Sequence, residues 1–191
     1  MISGVKRKMK KLVNGIVAVF AAVVIAASAT PALARQSAGG EQLMKKVRKE
    51  LVTLPWYGVF DNLEYAVQGS TVVLSGQVVQ PSTRRDAERR VARLRGVERV
   101  VNNIEVLPLS GFDDSIRRET YRALFGWNSP LFRYGRGTNP SIHIVVNRGH
   151  VTLEGVVSNE GDANLARMRV LGVPGVFSVT NNLRAENVRA R

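Results

Sequence analysis

Val151-Thr152-Leu153-Glu154-Gly155-Val156-Val157 decides the fold, because its pattern also occurs 79 positions earlier, as Val72-Val73-Leu74-Ser75-Gly76-Gln77-Val78. The shared register continues without a gap through Gly96-Val97 and Gly175-Val176. It ends on two matching pairs, Asn102-Asn103 and Asn181-Asn182. A register kept over this length identifies two copies of one folding unit.

Each copy has the pattern helix, strand, strand, helix, strand. In the first copy Leu43, Val47 and Leu51 fall at helical spacing, and Gly69 marks a turn between two strands of alternating polarity. A second helix then leads to a last strand, at about residues 97–106 and 176–183 in the two copies. A helix that joins two strands predicts a parallel, right-handed crossover. We therefore expect an α+β fold of two modules, each a two-layer sandwich of two helices on a three-stranded mixed sheet (α-β-β-α-β).

The amino-terminal residues have the layout of a secretory signal peptide. Five cations between Lys6 and Lys11 precede the uninterrupted apolar run Ile16–Ala27 and a small-x-small site that ends at Ala34. The apolar run is shorter than the ~20 residues that span a bilayer, which disfavours a membrane anchor. We expect a leader at 1–34, a short flexible segment at 35–40, the first module at 41–108, the second module at 112–185 and a tail at 186–191.

Charge and cysteine content limit the partners. Without the leader, the chain has 23 Lys and Arg residues against 15 Asp and Glu, so it favours anionic partners, although an Arg-rich composition can also follow from genome base composition. Export removes nucleic acid from the expected partners. The chain has no cysteine, so disulfides, thiol chemistry and lipidation at a cysteine are excluded. We expect no transmembrane span once the leader is removed.

The two copies resemble the BON domain. The resemblance rests on Gly149–Val157 and on Gly175-Val176-Phe177-Ser178-Val179-Thr180-Asn181-Asn182-Leu183, and it extends over residues 41–185. With a signal peptide, a tandem pair is similar to osmotically inducible periplasmic BON proteins. The resemblance implies an envelope-protecting or phospholipid-contacting role in the periplasm, or at the periphery of the outer membrane, and it implies no catalytic site.

Two kinds of surface are candidates for binding a membrane or a partner. The first helix of each module is followed by an aromatic loop, which suits either a membrane interface or a contact between the modules. The second helix of the first module is rich in arginine, which suits either a solvated face or anionic lipid. The candidate residues are Trp56, Tyr57, Phe60, Trp127, Phe132, Arg133, Tyr134, Arg136, Arg84 and Arg85.

Nothing in the sequence indicates an enzyme. The two histidines, His143 and His150, align with Glu64 and Thr71 of the first copy, so we expect both to be solvated surface residues. The repeated asparagines are expected to bind backbone near the last strand. We find no phosphate-binding loop, nucleophile elbow or metal-ligand spacing, and therefore expect no catalytic residue, cofactor or metal.

The expected function is thus that of an exported, non-enzymatic envelope protein that contacts anionic phospholipid and acts under osmotic or related stress. One alternative is a periplasmic protein-binding or chaperone-like module without lipid dependence. Another is a sensor of a small ion or ligand.

Overall fold

The computed structural model of the protein describes residues 31–137 and 139–186. Most of the expected leader, residues 1–34, lies outside these ranges, as does the expected tail apart from Glu186. No helix within the described ranges combines the length and the apolar character needed to cross a bilayer.

The first module begins with helix α1, Pro31–Val52, followed by strands β1, Asn62–Gln68, and β2, Thr71–Val78. Helix α2, Pro81–Ala92, then leads to the short strands β3, Arg99–Asn102, and β4, Glu105–Val106. Residues 35–40, for which the sequence predicted a flexible segment, belong to α1.

The second module repeats this order. Helix α3, Gly111–Phe125, is followed by a 3-10 turn at Phe132–Gly135 and by strands β5, Ile142–Asn147, and β6, His150–Val157. Helix α4, Glu160–Leu171, and strand β7, Ser178–Ala185, complete it. The side chains of Ser110 and Asn159 cap α3 and α4 by accepting from the backbone N–H groups of Asp113 and Asp162.

Both sheets have the predicted topology. The hairpins β1–β2 and β5–β6 are antiparallel, and the crossover helices place β3 beside β2 and β7 beside β6 in parallel. The apolar parity faces the helices, so that Val72, Leu74, Val151 and Leu153 are at most 1% exposed. The expected α+β fold, two tandem two-layer modules of two helices on a mixed sheet, is confirmed.

The last strand of the first module differs from the prediction. It was expected to be continuous over residues 97–106, but it breaks between β3 and β4, and both pieces pair with β2. At the break, the side-chain carbonyl oxygen of Asn102 accepts from the Ile104 N–H at 3.2 Å. Two bonds from its amide nitrogen, to the Arg84 carbonyl and to the Glu88 carboxylate, hold it against α2.

Gly76 of β2 and Gly155 of β6 occupy positions that require glycine. A glycine on the apolar parity of a strand is typical of a closely packed helix or a bulge, whereas the close neighbour here is the start of the adjacent strand. A Cβ on Gly76 would lie 2.1 Å from the Asn62 carbonyl oxygen, and a Cβ on Gly155 would lie 2.0 Å from that of Ser141. Both residues also have positive φ angles, +108° and +126°. Only glycine satisfies both constraints.

Candidate functional site

The aromatic loop of the first module lies against the second module. The Tyr57 ring stacks on His143 at 5.3 Å between centroids, and Phe60 meets Tyr121 edge-on at 6.2 Å. The carbonyl oxygen of Val59 accepts from the Ile144 N–H at 2.7 Å. Of the two functions considered for this loop, the geometry of Tyr57 and Phe60 corresponds to a contact between the modules.

His143 was predicted to be a solvated surface residue, and this prediction is wrong. Its side chain is 8% exposed, and Nδ1 lies 3.2 Å from the Gly58 carbonyl oxygen. The strand parity was read correctly, but the outward face of β5 is covered at this point by the loop of the first module. His150 is exposed, and its Nδ1 lies 2.7 Å from the Ser178 hydroxyl.

Burial sets the ionisation of the groups at this contact. Desolvation lowers the pKa of His143 and raises the pKa of Tyr57 to about 12, so that both side chains are uncharged at neutral pH. Desolvation also raises the pKa of Asp61, while N–H groups of Val79 and Gly58, which donate to its carboxylate, and the charge of Arg117 oppose the shift. The contact thus contains two stacked, uncharged rings beside a buried carboxylate whose hydrogen bonds lie within the first module.

Trp56 differs from its loop neighbours. Its side chain is 67% exposed and lies at a cavity of about 280 Å³ between the modules. Phe60, Asp61 and Arg117 also line this cavity. An indole in this position is available to a partner.

The loop of the second module presents an exposed aromatic and cationic cluster, which we call the Trp127 patch (Trp127, Phe132 and Arg136). Trp127 is 87% exposed and contacts the Phe132 ring at 5.6 Å between centroids. The Arg136 guanidinium lies 5.8 Å from the centroid of the same ring. This distance is within the range of a cation–π interaction.

The other two candidates in this loop have structural contacts. Tyr134 is 6% exposed, and its hydroxyl donates to the Asp162 carboxylate at 2.6 Å and accepts from the Ser158 N–H at 2.9 Å. Arg133 forms an ion pair with Asp162 and lies over the Tyr134 ring at 4.8 Å. These bonds attach the 3-10 turn to the start of α4.

Some arginines of α2 form ion pairs with neighbouring carboxylates. Arg84 and Arg85 are exposed. Arg89 pairs with Asp86, and Arg90 lies 3.6 Å from the Glu50 carboxylate of α1. Arg84 and Arg85 therefore remain available to an anionic surface, whereas Arg90 connects the two helices.

The two modules match a known domain family. A model of the BON domain matches the chain twice, at residues 40–108 and 113–187. The chain belongs to the BON-domain family. BON domains are generally non-catalytic and associated with membrane or phospholipid binding, and proteins that contain them are typically periplasmic or associated with the cell envelope.

Two solved structures of CdsD, a structural protein of the type III secretion system of Chlamydia trachomatis, are similar to this chain in part. One, of the C-terminal domain, is 12% identical, covers 75% of this chain and 96% of its own, and has a TM-score of 0.27. The other is 13% identical, covers 76% of this chain and 94% of its own, and has a TM-score of 0.29. No curated protein matches the chain.

Within the BON modules, the first asparagine of each repeated pair binds backbone as expected, whereas the Asn182 amide donates to the Glu154 carboxylate at 2.7 Å. Asn181 donates to the Ala163 carbonyl of α4 at 3.0 Å, and Asn102 donates to the equivalent carbonyl of α2, that of Arg84, at 3.1 Å. Asn181 and Asn102 thus each connect the last strand to the second helix of their module.

Sequence reasoning missed two buried charged residues of the second BON module. Asp113 is 1% exposed and accepts from the N–H groups of Arg148 and Gly149, each at 2.8 Å. Arg117 is 3% exposed and donates to the Val146 carbonyl at 2.7 Å and to Asp114 at 2.6 Å. Neither was found because helical periodicity marks apolar positions, and a charged side chain one turn from an apolar stripe looks solvated.

Across residues 31–137 and 139–186, His, Asp and Glu side chains do not gather into groups of three or more that would hold a metal ion. The surfaces described above offer stacking, ion pairing and hydrogen bonding.

Proposed function

We propose that this BON protein is an exported, non-enzymatic protein of the cell envelope that contacts anionic phospholipid and supports envelope integrity under osmotic or related stress. The Trp127 patch is the membrane-contacting site in this proposal. Arg84 and Arg85 on α2 supply a second electrostatic contact.

The observation that carries the proposal is the exposure of Trp127 beside an aromatic ring and a guanidinium. An indole that is 87% exposed is unfavourable in water and favourable at the level of the lipid headgroups, where its ring is buried and its N–H remains hydrated. Arg136 adds a charge that attracts phosphate. The loop is about six residues longer than its counterpart in the first module, so closing the fold does not require its full length.

Charge gives the proposal a dependence on ionic strength. Each basic residue close to an anionic leaflet contributes about 1 kcal/mol, and the attraction decays within a Debye length of about 8 Å at physiological salt. Arg136, Arg84 and Arg85 are exposed, so binding is expected to weaken as salt is raised.

Vesicle flotation tests the proposal. The protein lacking residues 1–34 is mixed at low salt with vesicles of phosphatidylcholine alone or with phosphatidylglycerol added. We expect binding to the anionic vesicles alone, a roughly tenfold loss in Trp127→Ala, and a smaller loss in Arg136→Ser. Met168→Ala is the matched control, because Met168 is an apolar side chain on α4 that is 61% exposed.

Arg136 is a better target than Arg133 for this assay. Arg133 bonds Asp162 and the Tyr134 hydroxyl, so its replacement would disturb the 3-10 turn as well as any lipid contact. Equal binding to neutral and anionic vesicles, or unchanged binding of Trp127→Ala, would contradict the proposal.

The protein-binding alternative has a separate structural basis. Phe112 and Phe177 are 51% and 69% exposed, and their ring centroids are 5.9 Å apart. A pair of exposed rings suits an apolar protein segment. This alternative predicts that the wild type suppresses aggregation of an unfolded client without lipid, and that Phe177→Ser abolishes the effect while Trp127→Ala does not.

A further inference from the structure

A second cleft between the two modules has a different chemical character from the Trp127 patch. We call it the polar cleft. It encloses about 500 Å³ and is lined by residues of both modules, among them Arg48, Asn62, Tyr65, Ser141, His143 and Arg184. This volume is in the range of small-molecule sites, about 300–1,000 Å³.

The lining selects for a hydrophilic ligand. Asn62 supplies an amide, whose nitrogen also donates to the Glu64 carboxylate at 3.2 Å. Ser141 and Tyr65 supply hydroxyl groups, and backbone of the Gly155 region completes one wall. Most small-molecule pockets are mainly apolar with few polar groups. The reverse balance here disfavours an acyl chain and favours a ligand with many hydrogen-bonding atoms.

Charge makes the preferred ligand an anion. Arg48 extends from α1 of the first module and Arg184 from β7 of the second. Within the described residues, neither guanidinium forms an ion pair or a side-chain hydrogen bond. The Glu186 carboxylate also lines the cleft, which leaves the lining with a net positive charge. Since the buried His143 and Tyr57 are neutral, they do not change this balance.

The number of donors distinguishes phosphate from carboxylate. A carboxylate has two oxygens and is satisfied by one guanidinium fork. Two guanidinium groups from opposite modules, with nearby hydroxyl and amide donors, match an acceptor with three or more oxygens. A phosphate group alone would fill little of the cleft, so the remaining hydrogen-bonding lining suits a hydroxylated substituent.

We propose that the polar cleft binds a phosphate ester of a small polyol, with Arg48 and Arg184 contacting the phosphate from the two modules. The ester is either free in solution or the headgroup of a glycerophospholipid. Because its two cationic ligands belong to different modules, the bound phosphate also strengthens the contact between them. The site is separate from the Trp127 patch and does not depend on it.

Glycerol phosphate is the probe, titrated into the protein lacking residues 1–34 and followed by backbone NMR shifts and calorimetry without lipid. We expect saturable binding with shifts at Asn62 and Ser141. Arg48→Gln and Arg184→Gln should each weaken it about tenfold, the value of one charge-assisted hydrogen bond. Arg167→Gln is the matched control, because Arg167 is an exposed arginine on α4 outside the cleft lining.

Thermal unfolding and near-ultraviolet circular dichroism of each variant separate lost binding from lost folding. Phosphatidylglycerol vesicles then identify the source of the ester. Weaker vesicle binding by the double variant indicates a lipid headgroup, and unchanged vesicle binding indicates a soluble ester. Absence of saturable glycerol phosphate binding, or equal binding by the wild type and the double variant, overturns the inference without affecting the Trp127 patch.

Discussion

Substitution of the repeated strand glycines by alanine tests the central feature of the fold, which is the close approach of the first strand to the second. In Gly76→Ala the new methyl group would lie 2.1 Å from the Asn62 carbonyl oxygen, far inside normal van der Waals contact. The oxygen belongs to backbone, so relief requires a shift of β1 at its pairing with β2. The positive φ angle of +108° adds conformational strain.

Two contributions determine the expected loss of stability. The strain of an L-residue at positive φ costs about 1–2 kcal/mol, and an overpacked contact costs about 1–3 kcal/mol or more. We expect Gly76→Ala and Gly155→Ala each to lower the free energy of unfolding by about 3–5 kcal/mol. A domain of this size has a total stability of roughly 4–10 kcal/mol, so each substitution removes a large part of it.

Gly96→Ala separates the two contributions. Gly96 has a φ angle of +98°, but an added Cβ would meet nothing within 4 Å, so only strain is present and the loss should be about 1 kcal/mol. Urea unfolding followed by circular dichroism measures the three variants against the wild type. If Gly76→Ala and Gly96→Ala cost the same within about 0.5 kcal/mol, the close-approach explanation is wrong.

Three further predictions concern polar side chains. Burial holds the pKa of His143 below its unfolded value of 6.5, so on acidification the unfolded chain binds a proton that the folded chain does not. The free energy of unfolding should therefore fall as the pH drops below about 6.5. Urea unfolding at about pH 7.5 and 5.5 measures this fall, which should be smaller in His143→Gln than in the wild type. Asp113→Ala should cost about 2–4 kcal/mol by leaving two turn N–H groups without their acceptor, and hydrogen exchange should show faster exchange of the Gly149 amide. Asn181→Ala should lower the thermal midpoint, with a loss of about 1–2 kcal/mol, whereas Asn182→Ala, at an exposed position, should cost under about 0.5 kcal/mol.

The architecture was predictable because its signals are periodic and occur twice. The alternation of Val72 and Leu74 fixed the buried face, and the helix between β2 and β3 fixed the parallel crossover. The break after Asn102 was not predictable from these signals. Asn102 and the equivalent Asn181 make similar bonds to their own strand and to the second helix, yet only the strand of the first module is interrupted. These bonds alone therefore do not account for the break.

The contact between the modules was predictable only as one of two alternatives. Tyr57 and Phe60 were identified as aromatic and close to the first helix, which suits a membrane as well as a protein contact. What decides between these is the position of His143, and its polar parity on β5 indicated solvent. A strand pattern reports which face of its own sheet a residue occupies, and it carries no information about a neighbouring module that covers that face.

The loop of the second module shows the same limit at the scale of single residues. Trp127 and Tyr134 are both aromatic and lie close together after the same helix, yet one is 87% exposed and the other 6%. The difference arises from Asp162 and Ser158, which lie more than twenty residues away and bind the Tyr134 hydroxyl. With Tyr134 held in the core, the 3-10 turn fixes where Phe132 lies, and the Trp127 ring packs against Phe132 at 5.6 Å between centroids. The exposed indole is therefore positioned by a buried polar bond, so Asp162→Ala should weaken vesicle binding in the flotation assay although Asp162 is not part of the Trp127 patch.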